Sequence, residues 1–103
     1  MSAWLPADDS TYPGDSVSYT GTAGTTNTVW PQGPSKVIVT ATSAAFVKVV
    51  SASNGVATSA SQMVPANTPI ILAVPPTFQE FYVSAVQVAA GGDVYAKPGE
   101  LVP

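Results

Sequence analysis

Hydrophobic and polar positions alternate in short bursts along this chain from residue 36 onward. In "KVIVTAT" (36–42), Val37, Val39 and Ala41 share one parity and Lys36, Ile38, Thr40 and Thr42 the other. "AFVKVV" (45–50) sets Phe46, Lys48 and Val50 against Val47 and Val49. A period of two is the mark of a strand packed on one face. The link "SAA" between these runs is short enough for a hairpin-like connection, although it is not a favoured glycine turn. "SASNGVATSAS" (51–61) carries an Asn54-Gly55 turn signal in polar surroundings and reads as a long hairpin tip or loop.

"VPANTPIILAVPP" (64–76) places Ile70, Ile71, Leu72, Ala73 and Val74 between Pro65, Pro69, Pro75 and Pro76. The run is too short for a helix, and each proline inside one would remove a hydrogen bond. A strand tolerates proline at its first residue or just past its end, so the segment predicts a strand over 70–74. Ile70, Leu72 and Val74 then face inward, and Ile71 needs cover from a second partner. In "EFYVSAVQVAA" (80–90), Phe81 and Val83 lie on one parity but Val86 and Val88 on the other. That change of phase near Ser84-Ala85 predicts a β-bulge. "DVYAK" (93–97), after Gly91-Gly92, closes the series, and no segment reads as a helix.

The expected fold is all-β, a small antiparallel β-sandwich or barrel, jelly-roll-like or immunoglobulin-like. Its expected core is Val37, Val39, Phe46, Val49, Ile70, Leu72, Phe81, Val83, Val86 and Val94. Residues 1–35 have a different texture, as in "PADDSTYPGDS" and "TGTAGTTNT". Glycine, proline, serine and aspartate favour turns and extended chain. This leader predicts an extended N-terminal arm beside a β domain over 36–103.

Composition narrows the function classes. Apolar residues make up 46% of the 103 and charged residues only 9%, against roughly 25% charged in an average soluble domain. A surface so poor in charge suits a protein covered by neighbours, which implies a homo-oligomer, a trimer or dimer. Ile71 and the outward-facing Ile38 put apolar surface on the wrong parity for a single core, in keeping with that. Net charge is −3, with three lysines and no arginine. Scattered lysines cannot displace counterions along a phosphate backbone, so nucleic acid is excluded as a partner. No apolar run approaches the roughly 18 residues of a membrane-spanning helix, and the start lacks the features of a signal peptide.

Cysteine and histidine are both absent. That removes thiolate chemistry, the commonest general base and the usual zinc ligands. No phosphate-cradling glycine motif occurs, so no cofactor is expected. Asp8-Asp9, Asp15, Glu80, Asp93 and Glu100 are dispersed and read as solvated loop carboxylates. "DDSTYPGD" offers oxygen ligands without the spacing of a calcium loop, so no metal is expected either. The chain does not read as an enzyme.

The aromatic residues carry more. Trp4, Tyr12, Tyr19 and Trp30 all lie in the leader. Tryptophan and tyrosine combine a large apolar body with a polar tip and are enriched at interfaces. They are expected to anchor the arm on neighbours, with Ile38 and Ile71 as further interface positions. They would equally serve to cover one end of the same domain, or as stacking faces for a sugar.

The strand-rich part, about 36–99, resembles small β-proteins encoded among the virion genes of tailed bacteriophages. The resemblance rests on "KVIVTAT", "AFVKVV", the turn in "VPANTPIILAV", "VSAVQVAAGG" and "DVYAKPG", and leaves the leader aside. It implies a capsid decoration (cement) protein bound to the major capsid protein or other virion proteins. Such a protein is made in the host cytoplasm and ends on the capsid surface. The alternative it leaves open is a carbohydrate- or host-surface-binding module of a fibre, or a neck or tail component.

Overall fold

The computed structural model describes residues 3–52 and 55–103 and holds ten strands, with no helix among the described residues. They form two antiparallel five-stranded sheets packed face to face, so the expected small β-sandwich is the fold. The first sheet contains β1 (Ala3–Pro6), β2 (Asp15–Tyr19), β5 (Lys36–Ala41), β8 (Ile70–Ala73) and β10 (Gly92–Val102). The second contains β3 (Gly24–Thr25), β4 (Trp30–Pro31), β6 (Ala45–Val50), β7 (Gln62–Val64) and β9 (Glu80–Gln87).

One construction is used in both sheets. The long strand β10 pairs with β5 on one side, and β1 and β2 follow one another along its other edge. Strand β9 likewise pairs with β6 on one side and takes β3 and β4 along its other edge. The leader therefore supplies an edge to each sheet, rather than forming the extended arm expected from its composition. The radius of gyration, 12.5 Å, agrees with the roughly 13 Å of a wholly folded chain of this length.

The interior follows the period of two. Val37, Val39 and Ala41 on β5 face Ala45, Val47 and Val49 on β6, with Val94 and Ala96 from β10 and Phe81, Val83 and Ala85 from β9. Ile70 and Leu72 pack against this core from the β8 edge, and Val74 is buried just beyond it. Two leader residues complete it. Trp30 is fully enclosed, its ring centroid 5.5 Å from that of Phe81, and its indole N–H donates to the Pro13 carbonyl at 2.9 Å. Tyr19 is buried too, and its hydroxyl donates to the Ser43 carbonyl.

Three expectations give way to the geometry. The "SAA" link is not a hairpin, because β5 and β6 lie in different sheets and the chain crosses between them. That crossing lets the inward sets of both strands meet across one core. The bulge at Ser84-Ala85 is absent, since β9 pairs with β6 in unbroken register from Tyr82↔Val50 to Gln87↔Ala45. Small Ala85 continues the inward set, and Val86 faces outward. Phe46, opposite Val86, is outward and half-buried as well, so neither belongs to the core.

The stretch 51–61 does join paired strands, β6 and β7, though Asn54 of its turn signal lies outside the described residues. In the "PANTP" turn, Asn67 adopts φ of 58°, a left-handed conformation that asparagine tolerates, and its N–H donates to the Ala41 carbonyl.

Candidate docking face

The outward parity of the first sheet gathers residues from both halves of the chain. Lys97, Ile38 and Ile71 stand opposite one another across β10, β5 and β8. The next row holds Pro6, Gly99, Lys36 and Ala73, and beyond it Trp4 faces Leu101. On the other side, Ser16, Tyr95 and Thr40 form a row across β2, β10 and β5. Ile71, Tyr95 and Leu101 are exposed, and Trp4 and Ile38 are half-buried.

Glycines let the large rings lie down on this face. A Cβ at Gly99 would stand 2.6 Å from Cζ2 of Trp4, closer than real packing permits, so the indole rests on bare backbone. A side chain at Gly14 would collide with the Tyr95 ring in the same way. Trp4 and Tyr95 thus each lie low on the backbone, at separate places along β10, instead of projecting from it.

One cation of the face is covered and paired. Lys97 has outward parity, yet its side chain is only 10% exposed, because the loop between β1 and β2 covers it. Its ammonium donates to Asp9 Oδ1 at 2.8 Å and to the Tyr12 carbonyl at 2.7 Å. The same loop is closed by Asp8, which accepts from the Thr11 N–H and the Ser10 hydroxyl. Those two bonds, the backbone one first, hold the Asp8 carboxyl below its ordinary range. Lys36 is left as the cation of the face without an ion pair among the described residues.

The second sheet is treated differently. The chain folds back so that Ala57 is buried, its N–H donating to Ser84 Oγ at 2.8 Å, while that hydroxyl donates to the Gly24 carbonyl. Thr25 Oγ1 donates to the Gly55 carbonyl from the same side. Tyr82 and Ser84 are buried although they point away from the core. Beyond this cover lies a smaller apolar row, Met63, Phe46 and Val86.

Of the six positions expected at an interface, Trp4, Ile38 and Ile71 come together on the first face. Tyr19 and Trp30 do not, since both are core residues and cannot anchor a partner. Tyr12 packs partly against the core, and its hydroxyl donates to the Gln32 carbonyl. Tyr95 and Leu101 were not expected there. Their signal is the alternation Tyr95, Lys97, Gly99, Leu101 through "DVYAKPGELV", which places all four on one side of a strand. Among the described residues, no three acidic, histidine or cysteine side chains gather to hold a metal ion.

The chain matches no protein-family model, no curated protein and no solved structure. The resemblance to bacteriophage virion proteins therefore rests on the strand pattern alone.

Proposed function

We propose that this chain is a structural subunit of a tailed-bacteriophage virion, a capsid decoration (cement) protein. In this reading it binds the major capsid protein shell through the outward face of the first sheet. The observation that carries the proposal is the convergence of Trp4, Ile38, Ile71, Tyr95 and Leu101 on that face, with the Lys97 charge tied down by Asp9. An apolar face low in free charge marks an interaction site, and aromatic anchors supply most of the energy of such contacts.

The row Met63, Phe46 and Val86 on the opposite side suits contact with neighbouring copies of the chain. Apolar rows on both outer faces fit a subunit packed within a layer, and a trimer or dimer is the assembly proposed. The role is one of binding and stabilising, without catalysis, on the surface of a particle assembled in the host cytoplasm.

Quantitative mass spectrometry of purified particles tests the proposal. Copies on the scale of the capsomers are expected. Absence from the particle, or a number matching a single tail or neck ring, overturns it.

A further inference from the structure

Strand β7 stops short. It pairs with β6 only over Ala45–Val47, which leaves Lys48–Val50 with β9 on one side and, among the described residues, no strand on the other. Facing that opening is β8, the outer strand of the first sheet, paired with β5 alone. Between them runs a groove of about 360 Å³ with Val47, Val49 and Leu72 among its lining residues. Thr58, Gln62 and their neighbours form a polar rim, and Lys48 supplies the one charge in the lining.

We propose that this groove receives an extended segment of a partner protein in which an acidic residue is flanked by aliphatic ones. An extended peptide can add to an exposed sheet edge, its backbone satisfying the edge and alternate side chains filling apolar pockets. The β6 edge supplies the hydrogen-bonding groups, half-buried Leu72 and Pro75 receive the aliphatic side chains, and Lys48 selects the acid.

Charge complementarity supports this occupant. The chain has three cations, Lys97 is held by Asp9, and Lys48 is exposed with no ion pair among the described residues. A second copy of the chain is a poor source for the acid. Asp8, Asp9, Asp15, Asp93 and Glu100 are each engaged by serine, threonine, lysine or backbone N–H donors. Glu80 is exposed, but its backbone is already paired with Pro31 of β4 and is not an extended segment free to lie along another edge. The inference stands apart from the virion reading, since it uses a different surface and asks nothing of the capsid.

Panning the whole chain against a displayed library of random dodecapeptides tests it. Enriched peptides are expected to carry Asp or Glu beside alternating Val, Ile or Leu, and their amide-shift perturbations should fall on β6, β8 and residues 58–62. Lys48→Glu reverses an exposed charge without touching the core and should weaken these peptides about tenfold or more, as a like-charge contact does. Ala60→Glu, at the exposed rim of the groove, should do the same. Tyr95→Glu, on the outward face of the first sheet, should leave binding unchanged. No enrichment, peptides without an acid, binding indifferent to Lys48→Glu, or shifts confined to other surfaces would each overturn the proposal.

Discussion

Lys97 illustrates how one side chain ties the leader to the sheet. Its two contacts differ in worth. Asp9 is 97% exposed, so water screens the ion pair and its contribution is at most about 1 kcal/mol. The bond to the Tyr12 carbonyl is made by a charged donor within a covered site, and its loss costs about 1.5–3 kcal/mol. Lys97→Met should therefore lower the unfolding free energy in urea clearly more than Asp9→Asn does. Equal losses would show that the ion pair, and not the backbone contact, holds the loop.

At the scale of elements, the leader strands are unequal. β1 pairs only with the end of β10 and is mostly exposed, whereas β2 and β4 bring Tyr19 and Trp30 into the core. Removing residues 1–6 should leave a cooperatively folded protein of reduced stability. Removing residues 1–31 takes away Trp30, whose loss to alanine alone would cost roughly 3–5 kcal/mol, and should leave no cooperative transition by circular dichroism and thermal melting. A folded protein lacking residues 1–31 would contradict the shared core.

The same contrast explains what could be read in advance. Valine alternation in 36–50 and the proline fences around 70–74 made the all-β fold and most of the core legible, because burial on one face imposes the period of two. The leader hid its strands. β3 and β4 are two residues each, too short to show a period, and β2 alternates only Val17 and Tyr19 with serines. Val86 misled because hydrophobicity says a residue is packed, without saying on which side of the sheet. The outward placement of Trp4, Ile38 and Ile71 was legible through their parity or their amphipathic character. Tyr19 and Trp30 have the same character, and only long-range pairing assigns them to the core.

The whole molecule has two unlike sides. Each outer face is partly closed by the chain itself, the second sheet by the 55–57 segment and the first, over Lys97, by the β1–β2 loop. Apolar Trp4, Tyr95, Ile38 and Ile71 remain around that loop on the first. Such a difference is what a subunit needs if it is to bind a shell in one orientation. For the capsid role proposed above, the direct measurement is occupancy by electron cryomicroscopy after adding purified protein to phage particles that lack it. The native chain should fill its lattice sites with the first sheet toward the shell. The double variant Ile38→Asp, Ile71→Asp, first shown by circular dichroism to keep its β fold, should leave those sites largely empty. Undiminished occupancy by the folded variant, or density with this face turned to solvent, would contradict the docking surface.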